Sequence, residues 1–235
     1  MKTMLHKAAT RGHANHGWLD SWHTFSFASY HDPHRVHFGA LRVLNDDTVL
    51  GGAGFGRHPH DNMEIISIPL EGELEHADSI GNVQVIRQGD VQVMSAGTGI
   101  VHSEKNKNGH LPVRFLQIWV FPNQKNVQSR YAQQHFSDAQ KHNKLITVVS
   151  PMGYPEGVNI YQDAWFSMGR LDSGLTLTYD LKKSGNGVYA FLIEGDVTIN
   201  EIVLNRRDGL GITEQDQLQI TANSKAELLL MEVPV

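Results

Sequence analysis

At 235 residues, 40% hydrophobic and 19% charged, the chain is long enough to bury one large core or two small ones. A formal net charge of −5 without a basic stripe argues against direct nucleic-acid binding, and the absence of cysteine removes disulfides, thiolate metal sites and cysteine nucleophiles together. The opening Met1-Lys2-Thr3-Met4-Leu5-His6-Lys7 lacks the apolar core of a signal peptide and no segment nears twenty apolar residues, so the expectation is a soluble, cytoplasmic protein with no membrane span.

In chain order, Trp18, Trp22, Phe25 and Phe27 read as a strand whose rings enter the core. His13, His16, His23, His31, His34 and His37 are irregularly spaced and read as surface or capping groups. Residues 41–44 predict a strand stopped by turn chemistry at Asn45-Asp46-Asp47, with Arg42 paired to a carboxylate. Further strands are expected over residues 64–70, 73–77, 83–86, 89–94 and 114–121, with His76 in a structural role. Gly, Asp and Asn punctuate them about every ten residues, the pattern of an all-β sandwich or barrel. Helices are expected only in the connection, over residues 129–136 and 137–142.

Comparing the halves exposes a repeat. Ile68-Pro69-Leu70-Glu71-Gly72-Glu73-Leu74-Glu75 resembles Phe191-Leu192-Ile193-Glu194-Gly195-Asp196-Val197-Thr198, and Arg87-Gln88-Gly89-Asp90 has a looser echo in Arg207-Asp208-Gly209. Two barrels in tandem follow, residues 1–136 and 137–235. Sliding one onto the other sets Leu181, Lys183 and Gly187 against His58, His60 and Glu64, and residues 220–222 against His102 and Glu104. A metal site is therefore expected in the first barrel alone.

That site rests on His58-Pro59-His60 and His102-Ser103-Glu104. All fourteen histidines lie between His6 and His142, so one His-x-His pair is unremarkable by chance. The second pair adds weight because it follows strand alternation and a glycine-punctuated turn. Residues two apart on a strand share a face, so each pair can turn toward one ion, and three imidazoles with a carboxylate leave part of an octahedral shell open.

The pattern Gly-x-x-x-His-x-His-x-x-x-Glu-x-x-x-x-x-x-x-Gly over residues 54–72, with Gly89-Asp90 leading to His102, resembles the two motifs of the cupin superfamily. Residues 17–27 (Gly-Trp-Leu-Asp-Ser-Trp-His-Thr-Phe-Ser-Phe), 38–47, His58-Pro59-His60 and 96–104 more narrowly resemble the pirin family of two-cupin proteins. The resemblance implies an all-β bicupin of two double-stranded β-helix, jelly-roll-like barrels. It implies one divalent metal, Fe(II) foremost with Mn, Co, Ni, Cu or Zn as other occupants, held by His58, His60, His102 and Glu104. Glu64, a ligand in most cupins, is then a pocket carboxylate supporting the ligands or simply a strand residue. Similarity to quercetin 2,3-dioxygenases implies a flavonol or related enol and O2 as substrates, CO as a product and Glu104 as proton acceptor. Similarity to animal pirins implies the alternative, an iron-containing redox sensor or transcription co-regulator acting through a protein partner.

Overall fold

The computed structural model describes all 235 residues. Period-two alternation of apolar and polar residues governs nearly the whole chain and produces twenty-two strands. In the first half these are β1 (Lys2–His6), β2 (Gly12–Asn15), β3 (Leu19–His23), β4 (Leu41–Val49), β5 (Gly54–His60), β6 (Glu64–Glu71), β7 (Glu73–Asp78), β8 (Val83–Arg87), β9 (Asp90–Ser95), β10 (Ile100–Asn106), β11 (Val113–Val120) and β12 (Arg130–His135). After the helix α1 (Asp138–Lys141) come β13 (Ile146–Pro151), β14 (Val158–Ile160), β15 (Trp165–Leu171), β16 (Thr176–Asp180), β17 (Asn186–Glu194), β18 (Asp196–Ile199), β19 (Ile202–Asn205), β20 (Gly209–Thr213), β21 (Gln217–Ala222) and β22 (Ala226–Pro234). No helix is long and apolar enough to cross a membrane.

Each half forms a barrel of two facing sheets. In the first, β12-β9-β6-β11-β4-β3-β2 faces β5-β10-β7-β8; in the second, β1-β20-β17-β22-β15-β13-β14 faces β16-β21-β18-β19. The matching strand order is the structural form of the repeat. One strand crosses over: β1 pairs antiparallel with β20, so the first residues of the chain close the sheet of the second barrel.

Strand parity sets what each sheet buries. Leu44, Ile66, Ile68, Val91, Val93, Leu116 and Ile118 leave one face of the first seven-stranded sheet and meet Phe166, Met168, Tyr189, Phe191, Leu229 and Met231 in a core of 25 buried residues between the barrels. The second barrel's own interior is a separate cluster of 16 buried residues, among them Leu192, Ile199, Leu210, Leu218 and Ile220. The first barrel's interior holds only two small clusters of six and four. At about 1.5–3 kcal/mol per buried aliphatic or aromatic side chain, the first barrel forgoes much apolar stabilisation inside and recovers it from the shared core.

Several expectations are corrected. Residues 130–135 form β12, paired along its length with β9, so a helix over residues 129–136 is excluded; an available sheet edge outweighed a weak local preference. The shorter connection does turn helical, with Ser137 and Gln140 forming a capping box. Asp46 and Asp47 lie inside the nine-residue β4, not at a turn. Arg42 donates to the carbonyls of Ser26 and Val36 rather than to a carboxylate.

Candidate metal centre

β5 and β10 run antiparallel with His102 directly opposite His58 and Ile100 opposite His60. Between His102 and Glu104 the register slips, a bulge on β5 at Gly56 and Arg57 that bends the strand beside the site. Gly54 permits the close approach: a Cβ there would stand 2.3 Å from the Glu104 carbonyl oxygen. The His58, His60 and His102 rings gather with centroids 4.5 to 4.9 Å apart, and their nearest ring nitrogens lie within 4.8 Å of one another.

Burial favours uncharged imidazoles at His60 and His102. Burial, then the neighbouring His58, lowers the His60 pKa to about 4; burial followed by His58 and His60 lowers that of His102 to about 2. His58 Nδ1 lies 2.8 Å from the Gly56 carbonyl, which only accepts, so Nδ1 carries a proton and Nε2 is the nitrogen left to face an ion. Nε2 of His102, in a residue 1% exposed, is buried without any partner. A buried unpaired nitrogen costs about 1–3 kcal/mol unless something binds it, and three imidazole nitrogens aimed at one space suit a borderline divalent cation.

Glu104 sits on the same inward face of β10, 2% exposed. Its Oε1 accepts from Ser67 Oγ at 2.9 Å and its Oε2 from Gln117 Nε2 at 2.6 Å, and burial raises its pKa despite opposing contributions led by His76. One carboxylate oxygen joins a second cluster with His102 and His76, again within 4.8 Å, so His102 links the three imidazoles to the carboxylate. Glu64 is placed elsewhere. Ser67 faces the site, so parity sends Glu64 to the other face of β6, where it accepts from Ser95 Oγ at 2.7 Å and burial pushes it up to about 7.

A cavity of about 350 Å³ opens over His58, His60 and Glu104. Trp18, Phe27, Phe55 and Trp119 supply aromatic walls, while Ser21, His23, Asn45 and Asp47 form a polar side. Trp18 and Phe27 are thus cavity lining rather than core, although Phe25 is core as expected. His23 is buried and bonded through Nδ1 to Asn45 Oδ1 at 3.0 Å, not a surface group. Ser67 and Gln117 escaped the sequence reading, which gave His76 a structural role and Asn45 and Asp47 to a turn, though alternation along β7 would have turned Leu74, His76 and Asp78 inward together. In the second barrel β21, between β16 and β18, carries Leu218, Ile220 and Ala222 where β10 carries its donors.

The family model for pirins matches residues 4–120, and that for the quercetinase C-terminal cupin domain matches residues 147–233. The quercetin 2,3-dioxygenase of Escherichia coli (strain K12) is 43% identical over 230 residues, 98% of each chain, and a pirin-like protein of Caulobacter vibrioides is 40% identical over 224 residues, 94% of this chain and 95% of the other. Among solved structures, bacterial pirin YhhW from Escherichia coli in complex with nickel(II) superposes with a TM-score of 0.94 at 41% identity over 99% of both chains. A quercetin 2,3-dioxygenase from Acinetobacter baumannii, 19% identical with a TM-score of 0.78 over 98% of this chain and 85% of the other, shares the fold. Two-cupin architecture, a divalent-metal donor set and relatives aligned from end to end agree: the chain belongs to the pirin family.

Proposed function

We propose that this protein is a metal-dependent dioxygenase that opens a flavonol-type enol with O2 and releases CO, its metal held by His58, His60, His102 and Glu104. The observation that carries the reading is a half-apolar cavity of about 350 Å³ whose floor presents the His58 and His60 imidazoles and the buried Glu104 carboxylate, with the His102 ring gathered against both histidines. That volume lies in the range of small-molecule sites, and its aromatic walls suit a flat polycyclic substrate better than a protein surface. The cavity therefore favours catalysis over a sensor that works through a partner. Fe(II) is our leading occupant by resemblance to pirins, although the donor set also takes Mn, Co, Ni, Cu and Zn.

When bound, a divalent cation there supplies Lewis acidity that eases ionisation of an enol hydroxyl. The protein supplies the rest. Trp18, Phe27, Phe55 and Trp119 bracket the rings and exclude water, while Ser21, Asn45 and Asp47 meet the substrate's other hydroxyls. Glu104 takes the enol proton: burial raises its basicity, and Ser67 and Gln117 hold both oxygens in place. Both atoms of O2 enter the product at the two carbons flanking the enol carbon, which leaves as CO, so carbon and oxygen balance.

Quercetin mixed in air with protein loaded with Fe(II), Ni(II) or Mn(II) should lose its flavonol absorbance and release CO. His58→Ala should not. An unchanged spectrum and no CO with every metal would refute the activity.

A further inference from the structure

His76 is not one of the four proposed donors, yet its surroundings tie it to them. It is fully buried on β7, opposite Glu104 across the sheet, with Asp78 opposite His102. Its Nε2 lies 3.0 Å from Asp78 Oδ2. Asp78 also accepts from the Ile80 and Asn82 backbone N–H groups and from Asn82 Nδ2 at 2.8 Å. Three N–H donors from residues other than His76 already converge on the two Asp78 oxygens, the surroundings of an ionised acceptor, so His76 Nε2 carries a proton. The other ring nitrogen, Nδ1, faces Nδ1 of His102 at 3.5 Å, a pairing that needs one donor and one acceptor, and with Nε2 already protonated His76 is assigned the acceptor. The Tyr131 ring packs on His76 with centroids 4.8 Å apart and fixes the ring plane.

The consequence reaches the metal. If His76 Nδ1 accepts, His102 Nδ1 must hold the proton and Nε2 keeps the lone pair, and that Nε2 is the atom buried without a partner. We propose that Asp78 and His76 form a positioning relay that sets the tautomer and ring orientation of His102, so that Nε2 is presented to a divalent cation. The proposal rests on the reading of His102 as a ligand. A carboxylate behind a ligating histidine is a common arrangement, and losing such a partner typically costs ten- to a hundredfold in metal affinity. Here the carboxylate acts through an intervening imidazole.

Two measurements on the full-length protein test it. In metal-free protein, long-range proton–nitrogen NMR of the histidine rings should show His102 as the Nδ1–H tautomer, and Asp78→Asn and His76→Leu should shift that population. Nickel(II) affinity, measured by competition with a chromophoric chelator, should fall at least tenfold in His76→Leu. It should return to within about threefold of wild type in His76→Gln, whose amide oxygen can take the same proton. A His102 tautomer untouched by either substitution overturns the relay, as does equal loss in His76→Leu and His76→Gln, which would mark packing alone. Loss in His76→Leu as deep as in His102→Ala also overturns it, because His76 would then be a ligand. Wild-type protein that ignores nickel(II) but shows the expected tautomer shifts would sink the ligand assignment, and with it the relay's role toward a cation, while the setting of the His102 tautomer by Asp78 and His76 would stand.

Discussion

Asp47 is a carboxyl that β4 carries into the cavity of the first barrel. It is buried, accepts a hydrogen bond from Ser21 Oγ, and faces Asn45 and Glu104 within the same polar wall. Burial pushes its pKa up to about 7 from the ordinary 3.8, Ser21 opposing and Asp46 and Glu104 reinforcing. The sign for stability follows. Because the folded value lies above the unfolded one, the protonated carboxyl's contribution is complete below pH 3.8 and is lost as pH rises through 7. In metal-free protein, the stability of wild type relative to Asp47→Asn should therefore fall by about 2 kcal/mol between about pH 5 and about pH 8. Chemical denaturation at the two pH values checks this, and a constant difference would mean that Asp47 ionises freely in the cavity. Asp46-Asp47 reads as turn chemistry because those residue types favour turns; the nine-residue strand is paid for by pairing with β3 and β11, which local sequence does not display.

At the scale of the element, what was legible followed period two and what was not followed partners distant in sequence. His58, His60, His102 and Glu104 could be placed together because each pair keeps strand spacing. Parity also explains Glu64: an even number of residues from Ile66 and Ile68, it shares their face toward the second barrel, and a motif match carries no information about face. The antiparallel pair β5–β10 offers the sharpest test. A methyl group at Gly54 would meet the Glu104 carbonyl at 2.3 Å and the Lys105 Cα at 2.5 Å, forcing β5 away from β10 and His58 away from His102, whereas one at Gly56 meets nothing within 4 Å. Gly54→Ala should lower nickel(II) affinity at least tenfold, and Gly56→Ala should leave it within about twofold, an effect on ligand geometry of the size seen when supporting partners are lost. Calorimetric titration of both variants decides it, and equal affinities would show that the strand pair absorbs the displacement.

Across the whole molecule, two barrels share one core and differ in what they enclose. The repeat was legible at its Glu-Gly turns, where Gly72 and Gly195 both hold positive φ, at 80° and 91°. Its second echo is two residues out of register in the sequence comparison: Asp90 accepts from Arg87 N and Asp208 from Asn205 N, which sets Arg207 in the place of Gly89. The pairing of β1 with β20 joins residues some two hundred apart and leaves no local pattern to read. Arg207 sits at φ 66°, a left-handed conformation costing about 1 kcal/mol for a residue with a side chain. What it gains is Asp46, from the outer parity of β4: Arg207 Nε at 3.4 Å and Arg11 Nη1 at 3.3 Å converge on Asp46 Oδ2, with both guanidinium groups less than a tenth exposed. Removing the carboxylate leaves two buried cations facing each other across the barrel interface, so Asp46→Ala should cost about 3 kcal/mol in unfolding free energy. Arg207→Gly relieves both the strain and the repulsion in that background, and should restore at least about 1 kcal/mol there while restoring nothing in wild type. The same response to Arg207→Gly in both backgrounds would show that Asp46 and Arg207 are neighbours without being coupled.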